Sequence, residues 1–281
     1  MAIHTEPIGS IPRPAQLIGA GQDLAAGRIT VQAYEELAEA AVRQTIAELE
    51  ATGSPVITDG EQGKPSFATY PVAGLEALAS DGAVILFADG HTRQLPRLTA
   101  GPFRYARHAG GYLELARRYA HVPVKQPVIA ASALSLIYPP DGIDGYPREA
   151  FLADLVREAA ADIRGALDGG AHGVQIDFTE GRLAIKLDPS GQLLRSFTDL
   201  NNQVLAQFAS EQRARIGVHT CPGGDQDSTH SADVDYAGLL PGLFSLNVGA
   251  FTSSWPARPT APGSCAPSPS TPGWGSGSSS A

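Results

Sequence analysis

The feature that most restricts the fold of this chain is a repeated alternation along residues 1–251. Short runs of β-branched and apolar residues are each followed by a longer stretch with helical spacing. That order predicts βα units and an α/β fold on a parallel sheet. Strands are expected at Ile3–Ile8, Pro55–Thr58, Val124–Ala131, Gly173–Asp177, Ala214–Val218 and Leu243–Val248, with a hairpin pairing Val84–Phe87 with Arg93–Arg97. Arg97–Thr99 is a further short candidate. Helices are expected at Val31–Thr52, Gly110–Ala120, Arg148–Asp168 and Leu200–Ser210, with a short turn at Asp235–Leu240. The first is delimited by Thr30 as N-cap and Gly53 as stop. It carries Tyr34, Leu37, Ala38, Ala41, Val42, Thr45 and Leu49 at three- to four-residue steps, the stripe of one buried face.

The alternation stops abruptly at Phe251. Of the 30 residues from 252 to 281, 19 are Pro, Ser or Gly, and Arg258 is the sole charge. Such a segment cannot bury enough apolar surface to offset chain entropy, so 252–281 is expected to be a disordered tail behind a folded domain at 1–251. The 281-residue chain is long enough for one α/β barrel of roughly 250 residues. A net charge of −9 argues against a nucleic acid or an anionic membrane as partner, since both select basic surfaces. Two cysteines exclude a disulfide scaffold, no apolar run reaches membrane-spanning length, and the N-terminus lacks a signal-peptide core. A reducing cytoplasm is the expected location.

In parallel α/β folds the chemistry lies beyond the C-terminal ends of the strands, so polar residues at strand exits are the ones to weigh. His219-Thr220-Cys221 leaves one strand, and alternation places His219 and Cys221 on the same side, where imidazole and thiolate can bind one Zn²⁺. A buried structural His beside a small apolar Cys is the plain alternative. Asp59-Gly60-Glu61 leaves another strand with two carboxylates about a flexible Gly, suited to an ammonium, a cation or acid–base work, or to simple loop solvation. Asp177 ends an apolar strand, where an unpaired charge is costly, so it needs a ligand or a partner such as Arg182. Ser10, in Ile8-Gly9-Ser10-Ile11-Pro12-Arg13, can hold a carboxylate or sit in an ordinary loop. His230 is a weaker further ligand candidate in an acidic loop. Phosphate-binding glycine motifs and Gly-x-Ser-x-Gly are absent.

In this order, Ile8-Gly9-Ser10-Ile11-Pro12-Arg13, Asp59-Gly60-Glu61, Gln175-Ile176-Asp177 and His219-Thr220-Cys221 resemble the cobalamin-independent methionine synthase family, both its C-terminal catalytic barrel and its short single-barrel relatives. The resemblance covers most of residues 3–251. It implies a (β/α)8 TIM barrel with Zn²⁺ at the strand ends and methyl transfer from a methylated folate to the thiol of homocysteine. Zinc would be held by His219 and Cys221. Glu61 and Asp177 would take the ammonium of homocysteine, and Ser10 its carboxylate. Phe178-Thr179 departs from the Glu-Pro of the long synthases, and Phe244–Gly249 carries no carboxylate where those enzymes supply a zinc-ligand Glu. No Asp-Cys-Gly motif follows, and Cys265 lies in the tail. The barrel is therefore expected to lack its last βα unit, as a frameshift or truncation near residue 250 would leave it.

Other readings stay open at this level. One is alkyl transfer to another thiol such as coenzyme M, and one is an inactive remnant or binding protein. A zinc-free porphyrin decarboxylase is disfavoured, because it would need basic strand exits and these are acidic.

Overall fold

Why residues 126–220 fold as they do is clearest in their burial. The runs Gln126–Ile129 and Val174–Asp177 are buried at every position, the mark of strands covered on both faces. The computed structural model describes residues 5–221, 223, 231–232 and 234–253. Its helices are α1 Ala15–Ala25, α2 Val31–Ala51, α3 Ala109–Tyr119, α4 Ala131–Leu134, α5 Arg148–Asp168, α6 Glu180–Leu187, α7 Gln192–Leu205, α8 Ser210–Arg213 and α9 Tyr236–Leu243. Its strands are β1 Leu78–Ala79, β2 Val84–Leu86, β3 Thr92–Gln94, β4 Arg97–Leu98, β5 Gln126–Ile129, β6 Val174–Asp177, β7 Ile216–Thr220 and β8 Ala250–Ser253.

Strands β5, β6, β7 and β8 form a parallel sheet in sequential order, and Ile57 adds a single parallel bridge to Val124. Helices connect these strands, so the fold is α/β on a parallel sheet. The two antiparallel pairs, β1 with β4 and β2 with β3, lie outside it. Helix α5 packs on β5 and β6 and buries Phe151, Leu155, Ala159 and Ile163, while Glu158 and Asp162 accept backbone N–H groups of Tyr105 and Ala109. Those two bonds satisfy donors that burial would otherwise leave unpaired.

Several expectations shift. Helix α2 begins on the Thr30 cap, whose hydroxyl accepts the Ala33 N–H at 3.1 Å. Helix α5 matches its expected bounds, and the hairpin of β2 and β3 forms. Pro55–Thr58 contributes one bridge rather than a strand, and residues 5–8 of the expected first strand are not in β structure. Leu243–Val248 is no strand either: α9 runs to Leu243, a turn follows, and the strand is β8 at Ala250–Ser253. The sheet thus passes the boundary expected at 251. The helix expected at 200–210 starts earlier, at Gln192, and ends at Leu205.

Candidate functional site at the strand ends

The first part of the site is built by a sharp reversal after Thr58. Gly60 and Glu61 both take left-handed backbone, with φ of 63° and 54°. Gly suits this, because a Cβ at position 60 would lie 2.7 Å from Thr45 Cγ2 and 2.9 Å from Ile11 Cγ1. Glu61 has no such exemption, and its conformation costs roughly 1–2 kcal/mol. The reversal is held from both sides: Thr58 Oγ1 donates to the Gly9 carbonyl at 3.2 Å, and the Ile11 N–H donates to the Gly60 carbonyl at 3.2 Å. This brings Ser10 onto Glu61, where its hydroxyl donates to Oε2.

The other carboxylate oxygen of Glu61 is taken by a residue that motif reasoning passed over. The Lys64 ammonium is fully buried and lies 2.7 Å from Glu61 Oε1 and 2.8 Å from the Pro127 carbonyl, with the Tyr70 ring centroid at 4.4 Å. Burial pulls this ammonium down, but the charges of Glu61 and Asp59 outweigh it and its pKa is raised. Burial pushes the Asp59 carboxyl up, and the Lys64 charge pulls it back. A Lys three residues after a Glu on a strand exit was the available signal for this pair.

The second part stands on β6 and β7. The register sets Asp177 beside His219, and Nδ1 of His219 lies 3.1 Å from Asp177 Oδ1. The expected alternative of an Asp177–Arg182 pair is not formed: Arg182 donates to the Val234 carbonyl and packs over the Tyr236 ring. His219 is 5% exposed, and its Nε2 is buried with no hydrogen-bond partner among the described residues. Such an orphaned nitrogen is costly unless a ligand completes it. Cys221 follows one alternation along, half-buried, and its Sγ accepts the Gly223 N–H at 3.4 Å. His230 and Cys265 lie outside the described residues.

A third feature adjoins the second part through Thr179 and Gly223. A mostly apolar cleft runs under the β2–β3 hairpin, between Phe67, Ile85, Phe87 and Ile137, with Glu180 on its wall. Glu180 starts α6, is 5% exposed, and accepts the Ser132 hydroxyl on Oε1, while Oε2 has no partner among the described residues. Asn201 Nδ2 donates to the same Ser132 oxygen at 2.7 Å. Burial pushes the Glu180 carboxyl up to about 7, against the opposing hydrogen bond from Ser132.

Two side chains here could donate to a zinc ion. The orphaned Nε2 of His219 fits a metal ligand, and its Nδ1–carboxylate contact is the usual orienting arrangement for a ligating His. The Cys221 thiol is the second. Among the described residues no group of three or more His, Cys, Asp or Glu side chains is arranged to hold a metal.

The protein is therefore of the α/β class, with polar side chains gathered at the C-terminal ends of parallel strands. Within that class it is similar in fold to solved vitamin-B12-independent methionine synthases. One, assigned as such from Listeria monocytogenes, shares 20% identity over 79% of this chain and 66% of its own, with a TM-score of 0.59. Another, from a Shewanella species and bound to selenomethionine, shares 14% identity over 79% of this chain and 64% of its own, with a TM-score of 0.61. The chain thus spans just under two thirds of each. No protein-family model and no curated protein matches it. At such identities the likeness is one of fold. No helix among the described residues is long and apolar enough to cross a membrane.

Proposed function

We propose that this chain is a methyltransferase of the cobalamin-independent methionine synthase type, moving a methyl group from a methylated folate to the thiol of homocysteine with the help of Zn²⁺, on a (β/α)8 barrel and in the cytoplasm. The observation that carries the reading is the buried Nε2 of His219, unpartnered among the described residues, with Cys221 two residues on, just past the end of β7. The fold likeness supports it. His219 and Cys221 would hold the ion, which would supply Lewis acidity to a bound thiol and so favour its thiolate at neutral pH.

The remaining work belongs to the chain's own side chains. Asp177 orients His219 and, with Glu61, offers negative charge to the substrate ammonium. Ser10 faces the same corner for the carboxylate. The apolar cleft at Phe67, Phe87 and Ile137 suits a flat donor, and Glu180, held near neutrality, places an exchangeable proton on its wall. The test combines metal analysis of the purified protein with a methylation assay using homocysteine and methylated folate. About one zinc per chain and methionine formation support the reading, and full activity of metal-free protein refutes it.

A second reading is favoured by one contact. Both oxygens of Glu61 and the Ser10 hydroxyl are already engaged, by each other and by Lys64. An amino-acid head group must displace these bonds, whereas a thiol without one, such as coenzyme M, need not. Faster transfer to 2-mercaptoethanesulfonate than to homocysteine selects this reading.

A further inference from the structure

Gln175 carries no role in the chemistry above, yet it stands at the centre of a buried hydrogen-bonded column. Its Oε1 accepts from Lys125 Nζ at 2.7 Å. Its Nε2 donates to the Ile8 carbonyl at 2.8 Å and to Asp177 Oδ1 at 2.7 Å. Lys125 is 6% exposed and also reaches Glu6 Oε1 at 2.7 Å, while Gln175 itself is 2% exposed. The same Asp177 oxygen faces His219 Nδ1.

The chemistry of these neighbours leaves the amide one orientation. An ammonium only donates, and a backbone carbonyl only accepts. Turned over, the amide would set its NH₂ against the Lys125 ammonium and its oxygen against both the Ile8 carbonyl and Asp177. Asp177 Oδ1 therefore receives a donor from Gln175, and its remaining neighbour, His219 Nδ1, completes it by donating. A neutral imidazole protonated at Nδ1 has its lone pair on Nε2, the nitrogen that is buried without a partner.

We propose that Gln175 is a positioning residue that acts through Asp177 to hold His219 as the Nδ1–H tautomer, leaving Nε2 ready for a metal ion. The tautomer follows from the column alone; its use for zinc rests on the function proposed above. Because Gln175 also holds Ile8, the column ties the Gly9-Ser10 segment to the same strand end.

The experiment reads the tautomer in metal-free protein by long-range ¹H–¹⁵N NMR in mildly alkaline buffer, with the His219 signals identified by their loss in His219→Gln. The wild type is expected to show Nδ1 protonated and Nε2 bare. Gln175→Glu sets a carboxylate oxygen against Asp177, and Gln175→Leu removes the donor. Each is expected to give a mixed tautomer and a zinc Kd, measured by chelator competition, roughly 10–100-fold weaker. Lys125→Met keeps Gln175 but frees its amide to turn, so it shifts the tautomer partway, and it serves if the other variants fail to fold. An Nε2–H tautomer in the wild type overturns the proposal, as does a folded Gln175→Leu protein with the wild-type tautomer and Kd. A wild type with the Nδ1–H tautomer that binds no zinc supports the column and sinks the zinc reading, so the two failures are told apart.

Discussion

The two halves of the site differ in how they treat their own polar atoms. In the corner built by Ser10, Asp59, Glu61 and Lys64, charge is answered from within: Lys64 and Ser10 occupy both oxygens of Glu61, and the Pro127 carbonyl occupies the ammonium. At the strand ends of β6 and β7, and beside them on α6, His219 Nε2 and Glu180 Oε2 are buried and have no partner among the described residues. A self-satisfied cluster contributes rigidity and a fixed field, whereas an orphaned one is paid for by the fold and awaits a ligand. Both lie in one region: the first offers preset charge to a head group, the second unmet hydrogen-bonding capacity to a ligand.

The sharpest way to break this contrast is at the open half. His219→Ala or Cys221→Ser is expected to abolish stoichiometric zinc and methyl transfer together while the far-ultraviolet circular dichroism is kept. Retained metal in either variant, measured by elemental analysis, removes the strand-end assignment.

The closed half responds through stability instead. Lys64→Met leaves Glu61 and Asp59 buried without their cation and is expected to cost about 3–5 kcal/mol in urea unfolding, with much of the loss recovered in Lys64→Met/Glu61→Gln. A loss under about 1 kcal/mol would mean the pair is not buried as described.

Glu180 sharpens the comparison through pH. Its carboxyl is held at about 7 against 4.5 for the ordinary group. The folded chain thus keeps a proton that the unfolded chain releases, and the resulting stabilisation is full below about pH 4.5 and lost as pH rises to about 7. Glu180→Gln is neutral throughout, so its stability relative to wild type should rise by about 3 kcal/mol across that window. Parallel stability profiles for the two proteins would refute the raised pKa.

The smallest expected effect is at the reversal. Gly60→Ala forces a side chain into left-handed backbone against Thr45 and Ile11, for a loss of about 2 kcal/mol with little change in zinc affinity. Thermal unfolding and chelator competition on the same sample separate the two halves.

How much of this was legible in the sequence varied with the range of the interactions. Helix α5 was delimited because the signals along Arg148–Asp168, with Gly169-Gly170 directly after it, are local. His219 was legible as a strand-end residue because alternation along one strand is local too, while Cys221 falls just past β7. Helices α1 and α6 were not foreseen. Gly19 and Gly21 weaken the pattern of α1, and Glu180 and Arg182 on α6 are buried by contacts from elsewhere in the chain. The expected strand at Leu243–Val248 failed because an apolar run carries no label of its partner. Pairing with β7 falls to Ala250–Ser253, where Gly217 meets Ala250 and Val218 meets Phe251.

By itself, the sequence determined the α/β class, the main helices, and the set of polar residues that leave the strands, because periodicity and strand alternation are properties of neighbouring residues. Only the tertiary structure decided which of those groups are spent on one another. Lys64 meets Glu61 through a local reversal, but Lys125, Gln175, Asp177 and His219 meet across three elements, and the register of β6 against β7 settles that His219 turns one nitrogen to Asp177 and keeps the other free. Hydrogen-bond capacity is finite, so the role of each side chain depended on which neighbour the fold brought to it first.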